Sequence, residues 1–216
     1  MSLSKILMML ASGMLVSVEI FVLTLLFSLP LGLVVAFARM SKNPVVSWIT
    51  KVYIAIMRGT PLMLQLIVVN FAPYYVFGIS TPKSYRFVAV IIGFSLNYAA
   101  YFAEIYRSGI QSMPVGQYEA AKVLGYSKSQ TFFKIILPQV IKRILPPVTN
   151  ETITLVKDTS LAFVISVMEM FTIAQQISAK EANIMPLMIA GIFYFVFNYV
   201  VAFTMERIEK KLSYYK

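Results

Sequence analysis

The sequence contains no cysteine and no histidine, and only 13% of its 216 residues are charged. The two missing residue types exclude thiolate and imidazole catalysis and the metal sites that Cys and His form. The charged fraction is about half of the roughly 25% that is usual in soluble domains. Apolar residues make up 59% of the chain, and the mean hydropathy is +0.77. This composition is typical of a protein embedded in a lipid bilayer.

Five apolar segments approach the length of about 20 residues that a helix needs to cross the hydrocarbon core. They cover roughly residues 13–38, 60–78, 86–106, 148–172 and 185–205. Pro138, Pro146 and Pro147 precede the fourth segment, and we expect them to interrupt the helix there. The sequence therefore predicts an all-α, multi-pass membrane protein with about five transmembrane helices, in which residues 1–216 form a single domain.

Lysine and arginine are distributed unevenly between the two sides of these spans. The loops after the first and third spans and the C-terminal segment carry most of them: Arg39, Lys42, Lys51, Arg58, Arg107, Lys122, Lys128, Lys134, Lys142, Arg143, Arg207, Lys210, Lys211 and Lys216. The opposite side carries Lys5, Lys83, Arg86 and Lys180. Because cytoplasmic loops are enriched in positive charge, the N-terminus is predicted outside and the C-terminus in the cytoplasm. The formal charge of +10 does not indicate nucleic-acid binding, since the basic residues lie between apolar spans.

A polar, cationic segment, Glu119–Pro138, separates the third span from the fourth. It opens with Glu119-Ala120-Ala121, has Gly125 after three intervening residues, and closes with Ile135-x-Leu137-Pro138. The alanines favour a short helix with Glu119 in its first turn, and Gly125 suits the left-handed conformation that ends a helix. We expect a second helix to follow and to end at Leu137-Pro138. Its composition alone is also typical of an amphipathic helix that rests on anionic lipid.

The complete spacing of this segment resembles the cytoplasmic EAA loop of ABC importer permeases, without a gap. Three further segments resemble the polar amino acid permeases in particular: Arg58-Gly59-Thr60-Pro61, Ala100–Ile110 and Lys157–Leu161. The resemblance covers roughly residues 13–205. It implies a coupling loop at about residues 109–138, in which an ATPase is contacted by Glu119, Ala120, Ala121, Leu124 and Gly125.

The same resemblance implies the partners of the chain. No G-x-x-x-x-G-K-[ST] phosphate loop occurs in the sequence, so ATP and Mg are expected in separate ABC ATPase subunits. An extracytoplasmic solute-binding protein is expected to deliver an amino acid to the chain in the inner membrane. Five helices can hardly enclose an aqueous path, so we expect a second permease chain, identical or homologous, surrounded by lipid. No catalytic residue, cofactor or metal site is predicted in the chain itself.

Polar residues inside the spans mark the predicted substrate site, because such residues are costly in lipid and often functional. The fourth span carries Asn150, Glu151, Thr154, Lys157 and Asp158, and the third span carries Asn97 above Tyr101 and Glu104. We predict that Glu151 binds the substrate ammonium or a cationic side chain. Asn97, Asn150 and Thr154 complete the predicted site. The alternative is an internal ion pair of Lys157 with Glu151 or Asp158.

Inward-facing acids favour a basic amino acid, while glutamine, glutamate and cystine stay open as substrates. Arg58 is predicted to be a topological anchor, and Glu104 to pair with Arg107 three residues later on one helix. Direct contact with the solute is the alternative for both. Three other functions compete with the importer. A passive channel or secondary carrier would need no ATPase. A membrane-embedded enzyme would use an intramembrane carboxylate, and an assembly subunit would handle no solute.

Overall fold

The computed structural model describes residues 1–212, so Lys216 of the predicted cytoplasmic tail lies outside the described residues. The described residues form helices joined by short turns and contain no β-strand. The helices are α1 (Leu3–Arg39), α2 (Pro44–Gly59), α3 (Leu62–Phe77), α4 (Tyr85–Gln111), α5 (Val115–Val123), α6 (Lys128–Gln130), α7 (Leu137–Asp158), α8 (Met170–Glu181) and α9 (Met185–Leu212). A π-helical turn, Thr131–Ile136, joins α6 to α7, and a 3-10 helix, Thr159–Ile165, follows α7. The predicted all-α fold is confirmed.

Three helices, α1, α4 and α9, are each long and apolar enough to cross a membrane, and they contain the first, third and fifth predicted spans. Two bent pairs pass the same test of length and composition. One is α2 with α3, bent by 111°, and the other is the helix Lys128–Ile165 with α8, bent by 56°. If each bent pair counts as one crossing, the described residues contain five candidate spans, as the hydropathy pattern predicts.

The second predicted span has a helix before it where the sequence suggested a loop. Asn43 caps the start of α2, since its side-chain oxygen accepts the Val45 N–H at 2.9 Å. On α2, Ile54 is buried whereas Trp48 is 65% exposed, so the helix packs against the rest of the chain along one face only. The corner to α3 is formed by Thr60, whose extended backbone (φ −120°, ψ 149°) is the conformation that a residue before proline prefers.

The fourth predicted span, residues 148–172, differs most from the structure. The expected interruption by prolines is wrong at its inner end, because α7 runs without a break through Pro146 and Pro147. Its outer end is broken instead. Ser166 has a left-handed backbone with φ +59°, and the chain turns there into α8. A hydropathy pattern reports neither feature, because both depend on backbone geometry.

The core lies along the contact between α1 and α4, where the backbones approach closely. A Cβ on Gly32 would lie 2.8 Å from the Phe102 Cβ, so this glycine allows α1 to rest directly on α4. Phe94, Tyr98 and Phe102 follow the buried face of α4 in steps of one helical turn. At the other end of α1, Gly13 lies directly against the backbone of α8.

A fully buried carboxylate, Glu169, joins α1, α8 and α9. It caps the start of α8 by accepting the backbone N–H groups of Phe171 (2.7 Å) and Thr172 (2.6 Å). It also accepts the hydroxyls of Thr172 (2.8 Å), Tyr194 on α9 (2.9 Å) and Ser17 on α1 (3.3 Å). These donors replace the hydration that the carboxylate loses on burial. Glu169 therefore fixes the position of α8 after the break at Ser166.

Candidate functional site

The EAA-like segment forms a short helix, as predicted, but the helix begins earlier. Pro114 precedes α5, which starts at Val115, so Glu119 lies in the middle of the helix. The predicted position of Glu119 in the first turn is therefore wrong. The error arose because Pro114, Val115 and Gly116 have a loop-like composition, although proline is well suited to a helix start.

Gly125 ends this part of the segment as predicted. Its backbone is left-handed, with φ +80°. The Gly125 N–H is donated to the Lys122 oxygen at 3.0 Å, and the Tyr126 N–H to the Ala121 oxygen at 3.0 Å. This pair of bonds is a Schellman motif, which satisfies carbonyls that a helix end would otherwise leave free.

The second half of the segment is continuous with α7. Ser127 and Gln130 form a capping box, in which each side chain accepts the backbone N–H of the other residue, at 3.2 Å and 2.9 Å. The predicted helix end at Leu137-Pro138 is wrong. Pro138 is the second residue of α7 after the π-helical turn, where a missing N–H is tolerated. The backbone is consequently helical from Lys128 to Ile165.

The segment is held firmly against the inner end of α7. Gln117 and Gln139 exchange two amide hydrogen bonds of 2.9 Å and 2.8 Å. The Arg143 guanidinium donates to the Ser112 oxygen at 2.8 Å. Above these contacts, Gly109 lies so close to Ile144 that an added Cβ would overlap its methyl group.

The outward surface of this segment is apolar, although it lies in a polar part of the sequence. Val123 is 88% exposed, Leu124 is 74% exposed, and Phe133 on the following turn is 63% exposed. Glu119 and Ala120 are also exposed, whereas Ala121 is buried against the rest of the chain. A contiguous exposed apolar surface with a polar rim is typical of a protein-binding site. We call this surface, formed by Glu119, Ala120, Val123, Leu124 and Phe133, the loop face.

A second candidate site is a cleft of about 250 Å³ between the end of α2, the inner half of α4, and α7. Its lining consists of Arg58, Tyr101, Glu104, Ile105, Ser108 and Glu151. Polar residues of the third and fourth predicted spans thus meet at Tyr101, Glu104 and Glu151. We call this space the inner cleft.

The charges of the inner cleft are unevenly paired. The predicted pair of Glu104 with Arg107 is present, with two hydrogen bonds of 3.0 Å and 2.6 Å. Arg58 is 4.0 Å from the Glu104 carboxylate, and its guanidinium lies over the Tyr101 ring at 5.2 Å. Glu151 is half-buried and accepts no hydrogen bond from the described residues. Arg58 is therefore part of the cleft wall, which its interpretation as an anchor did not predict.

The other predicted site residues lie around the cleft. Asn97 does not line it, because its amide donates to the Met57 oxygen and to Gln65, both at 2.9 Å, and so holds the corner between α2 and α3. Asn150 is exposed one residue before Glu151, and the Thr154 hydroxyl donates to the Asn150 oxygen at 3.0 Å. Gln65 was missed, although a side-chain amide within the apolar second span is a visible signal.

The internal ion pair that stood as the alternative to substrate binding is not formed. Asp158 accepts the Tyr98 hydroxyl at 2.7 Å. Lys157 is exposed, and among the described residues no ion pair within 4.0 Å joins it to Glu151 or Asp158. Glu151 therefore faces the inner cleft without a bound cation from its own helix.

The chain is similar to known transport proteins in both sequence and fold. Residues 28–214 match the family described as binding-protein-dependent transport system inner membrane component. The chain is 36% identical to the L-cystine transport system permease protein TcyB of Bacillus subtilis (strain 168) over 208 residues, which cover 95% of this chain and 87% of the relative. It is 35% identical to the arginine transport system permease protein ArtQ of the same organism over 202 residues, which cover 93% and 91%. The crystal structure of an amino acid ABC transporter with histidines superposes with a TM-score of 0.87 at 30% identity, covering 96% of each chain.

Proposed function

This chain belongs to the family of binding-protein-dependent transport system inner membrane components, as a permease subunit of an amino-acid ABC importer, and from that premise we propose how it works. Two permease chains, identical or homologous, form the path and alternate between inward-open and outward-open states. The apolar surface of α9 supports this, because residues such as Phe195 (71% exposed) need lipid or a second chain against them.

The loop face binds an ABC ATPase subunit, which holds ATP and Mg. The observation that carries this proposal is an exposed apolar surface on a rigidly attached helix: Leu124 is 74% exposed, while Gln117 and Gln139 hold α5 to α7. A partner that moves this surface moves α7 with it. Since the backbone is helical from Lys128 onward, the movement reaches Glu151 about 35 Å further along the same helix.

Glu151 is the principal substrate residue in this proposal. Its carboxylate binds the ammonium group or a cationic side chain of a polar amino acid, with a preference for basic ones. Asn150 and Thr154 lie beside it on α7, and Asn97 keeps the α2–α3 corner in position. A solute-binding protein on the outer side, where the N-terminus lies, delivers the amino acid.

ATP-driven uptake into vesicles tests this function. The complete importer is reconstituted with its solute-binding protein, and uptake of labelled arginine, glutamine and cystine is measured. Glu119→Lys on the loop face is expected to abolish uptake, because it reverses a charge in the centre of the ATPase contact. Glu206→Lys is the matched control, since Glu206 is an exposed carboxylate near the inner end of α9.

The outcomes separate the importer from its competitors. Uptake that continues without ATP identifies a passive channel or a secondary carrier. Uptake by Glu119→Lys at the wild-type rate, with equal amounts of protein, contradicts the proposed coupling. Conversion of the amino acid into another compound identifies an enzyme.

A further inference from the structure

We infer that Arg58 is a specificity-determining residue, which binds the α-carboxylate of the amino acid while Glu151 binds its α-ammonium across the inner cleft. The inference rests on the proposed function and states what the site recognises. The recognised ligand is the zwitterionic headgroup of an α-amino acid, whereas Glu151 alone would accept any cation.

Arg58 has hydrogen-bonding capacity that the described residues leave unused. Its nearest carboxylate, Glu104, is already held by Arg107 through two short bonds. At 4.0 Å, the Arg58–Glu104 contact is longer than a hydrogen bond. A guanidinium has five N–H donors in one plane, and that of Arg58 donates no hydrogen bond within residues 1–212.

The Tyr101 ring holds the partly exposed guanidinium of Arg58 at the edge of the inner cleft. The ring centre is 5.2 Å from the Arg58 guanidinium carbon, a distance typical of cation–π contacts. A residue that served only to anchor α2 to lipid headgroups would point away from α4. Arg58 instead lines the cleft together with Glu151, and its donors are available to an anion that enters there.

Glu151 complements this arrangement with the opposite charge. It is half-buried and receives no hydrogen bond from the described residues, so a ligand ammonium would supply the donors that it lacks. A ligand with only one of the two charges would pair with either Arg58 or Glu151 and leave the other residue without a ligand group. An amino-acid headgroup satisfies both, because it carries an ammonium and a carboxylate on one carbon atom, and a carboxylate can accept two N–H groups of an arginine at once.

The test measures binding to the purified permease–ATPase complex without its solute-binding protein, so that only the membrane site selects. Labelled arginine, glutamine and cystine are tried in turn, and the one retained serves as the probe. The labelled probe is then displaced either by the same amino acid without the label or by its decarboxylated analogue, which for arginine is agmatine. For the wild type, we expect the analogue to bind about 10- to 100-fold more weakly, as is typical for the loss of a charge-assisted hydrogen-bonded pair.

Three variants separate recognition from structure. Arg58→Gln should lower the affinity for the amino acid to that of the analogue and leave the affinity for the analogue unchanged. Arg58→Lys keeps the positive charge at the end of α2 but loses the planar guanidinium with its paired N–H donors. It should therefore retain part of the preference for the amino acid over the analogue. Arg207→Gln is the matched control, because Arg207 also lies over an aromatic ring, that of Phe203 at 4.7 Å, and does not line the inner cleft.

The inference is overturned if Arg58→Gln discriminates between amino acid and analogue as the wild type does. It is also overturned if wild-type complex retains none of the three amino acids. In either case the proposed function is judged separately, since ATP-driven uptake and its loss in Glu119→Lys do not depend on Arg58.

Discussion

Replacement of Glu169 provides a sharp test of the packing that fixes α8. In Glu169→Gln, one carboxylate oxygen becomes an NH₂ group. The hydroxyls of Ser17 and Tyr194 can rotate and accept from this group, but a backbone N–H cannot. If the amide oxygen stays with Thr172, the Phe171 N–H loses its acceptor in a partly buried position. The cost of one such group is about 1–3 kcal/mol.

Glu169→Ala removes the acceptor for every donor at once. Two backbone N–H groups, that of the half-buried Phe171 and that of the buried Thr172, then lose their partner, and α8 loses its N-terminal cap. We expect the free energy of unfolding to fall by about 3–5 kcal/mol, more than for Glu169→Gln. Thermal unfolding of the purified protein in detergent measures the order of stability, which should be wild type, then Gln, then Ala.

Glu19→Gln is the control for this series. Glu19 lies two residues from Ser17 on α1, but its side chain is exposed and accepts no hydrogen bond from the described residues. Its replacement should change stability by less than about 0.5 kcal/mol. The reasoning is refuted if Glu169→Ala unfolds at the same temperature as Glu19→Gln.

Two further predictions concern the loop and its orientation. Because the chain has no cysteine, a single Cys introduced at Ser129 or at Ser80, both exposed, can be labelled with a membrane-impermeant thiol reagent. In intact cells we expect labelling of Ser80→Cys only. Labelling of Ser129→Cys instead would reverse the proposed orientation. Gly109→Ala should destabilise the protein by about 1–3 kcal/mol, because its Cβ would overlap Ile144. Adding Ile144→Ala should relieve part of this loss, so thermal unfolding of the double variant should show less than the sum of the two single effects; strict additivity would contradict the contact.

The long spans could be predicted from sequence because their signal is local. α1, α4 and α9 are uninterrupted apolar helices, and hydropathy alone indicates them. The bent spans depend on single backbone angles. Pro61 does signal the corner after α2, but the break at Ser166 has no such marker, since serine seldom adopts a positive φ.

The loop was predicted well where one residue determines the geometry. Gly125 ends α5 because its left-handed conformation suits glycine, and this follows from residue type. The end at Pro138 was misjudged, since the π-helical turn directly before this proline lets the helix continue through it, and residue type does not indicate such a turn.

Contacts between distant parts of the chain could not be derived from local pattern. Asn97 and Glu151 both stood out as polar residues in spans. In the structure, the Asn97 amide donates hydrogen bonds to Gln65 and Met57, whereas Glu151 faces Arg58 across the inner cleft. The choice depends on how α2 crosses α4, and no periodicity along either helix specifies it.

The central claim is that the loop face binds an ATPase, and the direct measurement is the amount of ATPase subunit that purifies with this chain from its native membrane. Wild type and Glu119→Lys are compared at equal abundance, with Glu206→Lys as the control. We predict ATP hydrolysis that accompanies the wild type and the control and is lost with Glu119→Lys. A stable wild-type preparation without ATPase, or an unchanged amount with Glu119→Lys, would contradict the account.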